Sequence, residues 1–283
     1  MIQVKDLSYT YPRADSEVLH NLNFEINKGE IFGFLGPSGA GKSTTQKILY
    51  KILHDYKGEV LINNKSLKAL GSEYFEQIGV GFELPNHYLK LTGRENLQLF
   101  GSYYQKEKLL PINNLFELVG LEDSIDIKVE SYSKGMKMRL NFLRAIMHQP
   151  DILFFDEPTA GLDPINAHKL KQEILKLKKA GKTIFVTTHD MTTADEICDR
   201  VSFIVDGTLQ VTESPSVLKH QYGEKKVKVK STNSQAAEFP LEKLGENVDF
   251  ISFLKQHDIE RINTSEATLE EVFIEVTGKA LHQ

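Results

Sequence analysis

The sequence predicts an α/β protein with a mainly parallel sheet, an N-terminal antiparallel β subdomain, a helical insertion and a small α+β C-terminal unit. The first observation is a set of short, continuous apolar runs, DILFFDE (151–157), KTIFVTTHD (182–190) and RVSFIVDG (200–207). The second is that helical segments at 164–180 and 191–198 separate these runs. Continuous apolar runs that alternate with helices are typical of parallel strands buried on both faces.

The N-terminal part of the chain is rich in strands. Residues 2–9 and 18–27 predict two of them, and IFGFL (31–35) predicts a short apolar strand. A Gly-rich turn follows IFGFL at once, and a helix is expected from about Lys42. Two further strands are predicted at GEVLINN (58–64) and IGVGF (78–82).

A mostly helical segment comes next. Thr92 and Glu95 have the spacing of a capping box, which predicts a helix from there to about Tyr104. PINNLFELVGL (111–121) and KGMKMRLNFLRAIMH (134–148) also predict helices. We therefore expect a helical subdomain at about 86–149, inserted before the apolar strands of the core.

The C-terminal part differs in charge from the rest. Ser214-Pro215 should start a helix that ends near Tyr222, and the first domain is assigned to 1–222. KHQYGEKKVKVK (219–230) is interpreted as a solvated linker or an edge strand, with a phospholipid contact as the alternative. Residues 231–283 carry ten acidic and four basic side chains. A helix near 247–257, a strand near 259–264 and a capped helix from Thr268 predict a small accessory or regulatory domain at 223–283.

Bulk composition excludes several classes of protein. The net charge of −5 gives no sign of nucleic-acid binding by the whole chain. The single Cys198 cannot form an internal disulfide, which indicates a reducing compartment. No signal peptide is expected after Met1, and no apolar stretch approaches the roughly 18–20 residues that span a bilayer. If the function involves a membrane, another polypeptide must cross it.

GPSGAGKST (36–44) fits the pattern G-x-x-x-x-G-K-[ST] of a phosphate-binding loop. Between a strand and a helix, its N–H groups can surround phosphate oxygens, and the helix N-terminus adds positive potential. Lys42 would reach the β and γ phosphates, and the Ser43 hydroxyl would bind Mg²⁺. The alternative is a plain Gly-rich turn. The nucleotide-binding residues assigned by this motif are Gly36, Pro37, Ser38, Gly39, Ala40, Gly41, Lys42, Ser43 and Thr44.

DILFFDEP (151–158) places two carboxylates at the C-terminal end of an apolar strand. In α/β proteins ligands bind at this end of the strands. Asp156 would hold Mg²⁺, and Glu157 would accept a proton from the attacking water. An Asp-Glu pair can also be a simple polar strand exit, but the phosphate loop upstream favours the functional interpretation and a P-loop NTPase core.

SYSKGMKMRL (131–140) is an exposed helix start with a hydroxyl and a glycine, Ser133 and Gly135. A hydroxyl, a backbone N–H and a helix N-terminus together favour an anion. The alternative is a simple serine cap. Nothing nearby in the sequence offers this helix start a partner.

The order of these motifs over about residues 1–222 resembles the nucleotide-binding subunit of ATP-binding cassette (ABC) transporters. In that family a signature, usually LSGGQ, contacts the γ-phosphate of ATP held by a second subunit. By this resemblance, Ser133, Lys134, Gly135 and Met136 would bind the partner's ATP. The subunits would form a homodimer or heterodimer that closes around ATP.

The resemblance implies further roles. Tyr11 would stack on adenine, with a core aromatic as the alternative. Asp163, in the loop Ala160-Gly161-Leu162-Asp163, would lie at the dimer interface. His189 would be the switch histidine that contacts the γ-phosphate and the attacking water, although a histidine at a strand end can be incidental.

The sequence departs from the family pattern at three positions. Glu83 replaces the usual glutamine after the IGV strand; its oxygen can still serve Mg²⁺ or water, but a solvated loop carboxylate is the alternative. Lys134 and Met136 replace a glycine and a glutamine in the signature. The SKGMK form and the ending TLEEVFIEVTG (268–278) resemble the branch that exports drugs, antibiotics or polysaccharides.

The sequence therefore predicts an ATPase that uses ATP and Mg²⁺ and works with a separate transmembrane permease at the cytoplasmic face of the membrane. Two alternatives stay open: a soluble ABC ATPase without a transporter, and a regulatory module that binds ATP without turnover. Gly36 and Asp156 lie only 120 positions apart, without sustained heptads, which argues against the chromosome-maintenance class. Intact Glu157 and His189 argue against the regulatory module.

Overall fold

The structure, a computed structural model, describes residues 1–223 and 225–279. The chain divides into two compact units, Met1–Thr212 and Glu213–Gln283. The boundary between these units lies before the helix at 215–222. The domain boundary at residue 222, assigned from the sequence, stays a prediction. In the described part of the chain, no helix is long and apolar enough to cross a membrane.

The regular elements follow the predicted alternation of strands and helices. The strands are β1 (Ile2–Tyr9), β2 (Leu19–Ile26), β3 (Ile31–Leu35), β4 (Lys57–Ile62), β5 (Lys65–Ser66), β6 (Ile78–Gly81), β7 (Ile152–Asp156), β8 (Thr183–Thr188), β9 (Arg200–Val205), β10 (Thr208–Glu213), β11 (Lys226–Ser231), β12 (Ala236–Pro240) and β13 (Ile259–Ser265). The helices are α1 (Lys42–Leu49), α2 (Gly93–Gly101), α3 (Ile112–Leu118), α4 (Lys134–Ile146), α5 (Pro164–Lys179), α6 (Met191–Ile197), α7 (Pro215–Tyr222), α8 (Val248–Gln256) and α9 (Leu269–Thr277).

The first unit contains two sheets, as predicted. The four-stranded sheet has the order β2-β1-β4-β5 and antiparallel pairing. The six-stranded sheet has the order β10-β9-β3-β8-β7-β6, and its strands from β9 to β6 pair in parallel. The predicted α/β class, with a mainly parallel core and an antiparallel β subdomain, is confirmed.

Aromatic side chains fill the space around β3 and β8. Phe34 and Phe185 pack edge to face with ring centroids 4.9 Å apart, and Phe24 from β2 meets Phe34 at the same distance. Because β3, β7 and β8 are buried along their whole length, they read as continuous apolar runs rather than alternating ones. This rigid core fixes the carboxyl ends of the three strands at one edge.

Strand β10 is absent from the predicted elements. Its residues are mostly half-buried, so the sequence TLQVTE shows no continuous apolar run. The turn before it, Asp206-Gly207, has positive φ at both residues, 47° and 71°. An Asp-Gly pair in this conformation is a hairpin signal, and it was available in the sequence.

The helical segment begins as the capping box predicts. The Thr92 hydroxyl accepts a hydrogen bond from Glu95 N at 3.1 Å, and the Glu95 carboxylate accepts one from Thr92 N at 2.8 Å. These bonds satisfy two N–H groups that the first turn of α2 would otherwise leave without partners.

The second unit contains a three-stranded antiparallel sheet in the order β12-β11-β13. The basic run was predicted as a linker or an edge strand, and this is wrong, because β11 is the central strand. Val227 and Val229 are buried against residues of α8, and the alternate lysines point outward. Lys228 and Lys230 form ion pairs of 2.9 Å with Glu238 and Glu260 of the neighbouring strands. Two glutamates of the acidic region thus pair with lysines that stay about half exposed to solvent.

Candidate active site

Residues 36–41 of the phosphate loop connect β3 to α1, and Lys42, Ser43 and Thr44 form the first turn of α1, as the motif requires. Gly41 caps α1 with φ of 106°, and a Cβ there would lie 2.6 Å from Leu19 Cδ2. A Cβ on Gly36 would lie 2.1 Å from the Ile204 carbonyl oxygen. Both glycines are therefore required by the fold, and they lead the loop into the start of α1, where an anion is favoured.

Lys42 is almost completely buried, with 7% of its surface exposed. Its Nζ donates to the carbonyl oxygens of Gly36 at 2.6 Å and Pro37 at 2.9 Å, so the side chain folds back along its own loop. Burial lowers the pKa of the ammonium, while the carboxylates of Glu157, Asp156 and Glu83 act in the opposite direction. The loop lysine therefore lies within the electrostatic reach of all three predicted acidic residues.

A cleft of about 650 Å³ contains the predicted metal-binding residues. Ser43, Glu83 and Asp156 all line it. Hydroxyl and carboxylate oxygens are the hard donors that Mg²⁺ prefers, usually one or two from the protein with the rest from water and phosphate. In the described residues no group of three or more His, Cys, Asp or Glu forms a metal cage. This sparse oxygen set therefore fits Mg²⁺ bound together with a nucleotide.

The two carboxylates at the end of β7 are each held by a threonine of β8. Thr187 Oγ1 donates to Asp156 Oδ1, and Asp156 and Thr187 are paired in the parallel register. Thr188 Oγ1 donates to Glu157 Oε2 at 2.8 Å. Glu157 has φ of 48°, a left-handed conformation that is unusual for a residue with a side chain and that ends the strand. Sequence reasoning missed both threonines, although they stand directly before His189.

His189 and Glu157 are in direct contact. His189 Nδ1 lies 2.6 Å from Glu157 Oε1, and the His189 backbone N–H donates to the same oxygen at 2.9 Å. The His189 side chain is half exposed, whereas the Glu157 side chain is only 9% exposed. The structure thus brings together the predicted base and the predicted switch histidine.

Tyr11 lies beside the phosphate loop. Its hydroxyl is 3.0 Å from Thr44 Oγ1, and its ring meets Tyr9 edge to face at 5.0 Å. The ring is only partly buried. This position is compatible with the predicted adenine contact, which stays a prediction.

Ser133 is the N-cap of α4, and its hydroxyl accepts from Met136 N at 3.1 Å. A hydroxyl that accepts one bond still has its own hydrogen to donate. Ser133 and Lys134 are exposed, and a Cβ on Gly135 would lie 3.4 Å from Leu162 Cδ2. The signature therefore adjoins the loop that precedes α5.

Asp163 caps α5 by accepting from the backbone of Ile165 and Asn166 at 3.1 and 3.0 Å. Its hydrogen bonds, first those from Asn166, hold the pKa of the carboxyl below its usual value. In the described chain, neither Asp163 nor any of the four signature residues lines the cleft that contains Ser43 and Asp156. The predicted site residues thus include one group around the phosphate loop and the ends of β6, β7 and β8, three members of which line the cleft, and a second group at the starts of α4 and α5.

Comparison with known proteins shows the family to which the chain belongs. A family profile described as ABC transporter matches residues 19–160. A fluoroquinolones export ATP-binding protein of Mycobacterium tuberculosis is 47% identical over 99% of this chain and 94% of its own length. The chain belongs to the ABC transporter family. It is an ATP-binding subunit of that family and an ATPase.

Two solved structures place this ABC subunit among nucleotide-binding cassettes. The structure of an ATP binding subunit of an ABC transporter matches 78% of this chain and 93% of that chain, with a TM-score of 0.71 and 30% identity. A dimeric ATP-binding cassette in a post-hydrolysis state, bound to ADP and Pi, matches 76% of this chain and 98% of that chain, with a TM-score of 0.68 and 28% identity. A second profile, the fluoroquinolone efflux ABC transporter C-terminal domain, matches residues 225–266 of this ABC subunit.

Proposed function

We propose that this ABC subunit hydrolyses ATP between two nucleotide-binding subunits and thereby drives the export of a drug through a separate permease at the cytoplasmic face of the membrane. The observation that carries the proposal is the convergence of Lys42, Asp156, Glu157 and His189 at the carboxyl ends of β3, β7 and β8. The relative's name and the C-terminal profile both support a fluoroquinolone-like drug as the cargo class.

The proposed chemistry is an in-line displacement at the γ-phosphorus. The phosphate loop and Lys42 bind the phosphates, and Ser43, Asp156 and Glu83 would hold Mg²⁺. When bound, Mg²⁺ neutralises charge that develops on the phosphate oxygens. The water oxygen bonds to the γ-phosphorus, its proton passes to Glu157, and the bond to the bridging oxygen breaks. ADP and phosphate are the products, and His189 orients the water and the γ-phosphate.

The exposed signature supports the proposal that a second subunit completes the site. Ser133 has a hydroxyl hydrogen to donate, and the start of α4 attracts an anion. The γ-phosphate of ATP bound to one subunit would thus bind the signature of the other subunit. Hydrolysis would break this contact and let the two subunits separate. A shift from mostly open to mostly closed requires about 10⁴-fold tighter ATP binding to the closed dimer. A homodimer and a heterodimer both fit this arrangement.

Ser133→Arg should spare ATP binding and abolish the ATP-dependent dimer. The arginine side chain would occupy the space that the partner's γ-phosphate requires. Light scattering with a non-hydrolysable ATP analogue measures the dimer, and calorimetry measures binding. Ser131→Arg, at an exposed position two residues earlier, is the matched control and should still dimerise. An ATP-induced dimer of Ser133→Arg would contradict the role of the signature.

The surface around Glu83 is the proposed contact with the permease. Leu84 and Tyr88 are 78% and 54% exposed, and the cleft that holds Glu83 continues to Phe100 and Arg144. Exposed apolar side chains at the mouth of a cleft indicate an interaction surface. A permease bound here would sense whether Glu83 is engaged with the nucleotide site.

Glu83→Gln should leave the ATPase activity of the isolated subunit within about threefold of wild type, because the amide keeps a side-chain oxygen. Glu83→Ala removes that oxygen and should raise the Mg²⁺ concentration needed for half-maximal activity. Steady-state hydrolysis across a Mg²⁺ titration tests both. Loss of activity in Glu83→Gln would show that the carboxylate itself is needed.

Two measurements test the proposed function as a whole. ATP hydrolysis by the purified full chain separates an ATPase from a module that only binds ATP. Purification from detergent-solubilised membranes of the native host, with identification of a stoichiometric membrane-spanning chain, separates a transporter from a soluble factor. Accumulation of a fluoroquinolone in cells that lack the subunit then tests the cargo class.

A further inference from the structure

We propose that Thr188 is a positioning residue that selects Oε2 of Glu157 as the oxygen that accepts the proton of the attacking water. The inference rests on the proposed role of Glu157 as the base, and it adds a residue and an atom to that role. Thr188 is completely buried at the end of β8, so its hydroxyl cannot bond to solvent and must find its partners within the protein.

The direction of the Thr188 hydrogen bonds follows from its neighbours. The Asp190 backbone N–H can only donate, and it lies 3.0 Å from Thr188 Oγ1, so this oxygen accepts there. The hydroxyl hydrogen is then available for Glu157 Oε2, 2.8 Å away. An ionised carboxylate accepts only, which gives the bond the same direction. Thr188 therefore accepts a hydrogen bond from the Asp190 backbone, at the start of α6, and donates one to Glu157.

The two oxygens of Glu157 are not equivalent. Oε1 accepts from the His189 backbone N–H and lies 2.6 Å from Nδ1, which must donate to an ionised carboxylate. Two donors fill the two lone pairs of Oε1. Oε2 accepts one hydrogen bond, from Thr188, and keeps a second lone pair. Within the described residues, Oε2 is thus the oxygen with capacity to accept a proton from water.

Geometry makes this bond important for rate. Glu157 follows the last residue of β7 in a left-handed conformation, so its backbone alone does not fix the direction of the carboxylate. Three bonds from two consecutive residues, Thr188 and His189, fix it instead. A displacement of about 1 Å at a reacting group can cost about a hundredfold in rate.

The test compares Thr188→Val with Thr188→Ser in the full chain. Valine keeps the shape and removes the donor, whereas serine keeps the hydroxyl. We expect Thr188→Val to lower kcat for ATP hydrolysis about 10- to 100-fold with little change in KM, and Thr188→Ser to stay within about threefold of wild type. A uniform structural defect would change nucleotide binding as well, which calorimetry with a non-hydrolysable ATP analogue detects.

Thr183→Val is the matched control. Thr183 lies on the same strand, is 1% exposed, and its hydroxyl accepts from Gly29 N at 3.0 Å. This variant should lose thermal stability but keep kcat. The inference is overturned if Thr188→Val turns over ATP at the wild-type rate, or if Thr188→Ser is as slow as Thr188→Val. A wild-type chain without ATPase activity would instead overturn the proposed function, and the inference with it.

Discussion

Glu157→Gln is expected to lower kcat for ATP hydrolysis by about 10²- to 10⁴-fold while nucleotide binding stays intact. The amide cannot take the proton of the attacking water. Its one oxygen can still accept from the His189 backbone N–H, and its NH2 group would then face the Thr188 hydroxyl oxygen, which can also accept a hydrogen bond, so the local fold should survive. Because the γ-phosphate then persists, the variant should accumulate as an ATP-bound dimer. Single-turnover kinetics, together with light scattering in ATP and Mg²⁺, measure both effects.

A surface carboxylate supplies the control for this experiment. Glu107→Gln changes an exposed residue and should behave as wild type in both measurements. Wild-type turnover in Glu157→Gln would show that this carboxylate is not the base. A slow enzyme that remains monomeric in ATP would contradict the link between the γ-phosphate and dimer closure.

Lys42→Ala is expected to abolish nucleotide binding, with a loss in affinity of at least about a hundredfold. The ammonium is the one cationic side chain within the phosphate loop, and three carboxylates act on it. Without it, triphosphate would approach Asp156, Glu157 and Glu83 with less compensating charge. Isothermal calorimetry with ATP measures the change directly.

The folded state of Lys42→Ala must be checked separately, because the lysine also bonds two carbonyl oxygens of its own loop. Thermal unfolding serves this purpose. Lys176→Ala, which removes an exposed lysine paired with Glu173 on α5, is the control and should bind ATP normally. Undiminished affinity in Lys42→Ala would refute the assignment of the phosphate loop.

The sequence predicted the parallel core, and the position of the glycine motif between β3 and α1, because their signals are local. IFGFL reads as a buried strand and is followed at once by the glycine pattern, and both properties depend on neighbours in the chain. Asp156 and Glu157 were found for the same reason, since an apolar run leads directly into them. The capping boxes at Thr92 and Thr268 are likewise short-range features, and both are formed.

What the sequence did not predict depends on pairing between distant segments. Thr188 bonds a residue 31 positions away, and that contact exists only because β7 and β8 run side by side in register. The central position of β11 has the same origin, because Glu238 and Glu260 come from strands on either side. A run of lysines gives no indication of which acidic residues will face it. β10 was missed for a different reason. Its sequence has no continuous apolar run, and the Asp-Gly turn before it, although a local signal, was not used.

The bonds from Lys42 to Gly36 and Pro37 have a consequence for the catalytic cycle. A phosphate oxygen that binds Lys42 must compete with the loop's own carbonyl oxygens for the ammonium. Lys42 then exchanges one set of hydrogen-bond partners for another when nucleotide binds. Its contribution to the binding free energy is therefore smaller than that of a newly formed bond. The same exchange operates in reverse after turnover, when the carbonyl oxygens recapture the lysine from ADP. A loop that rebinds its own cation would thus favour release of ADP, and product release limits the rate of many enzymes.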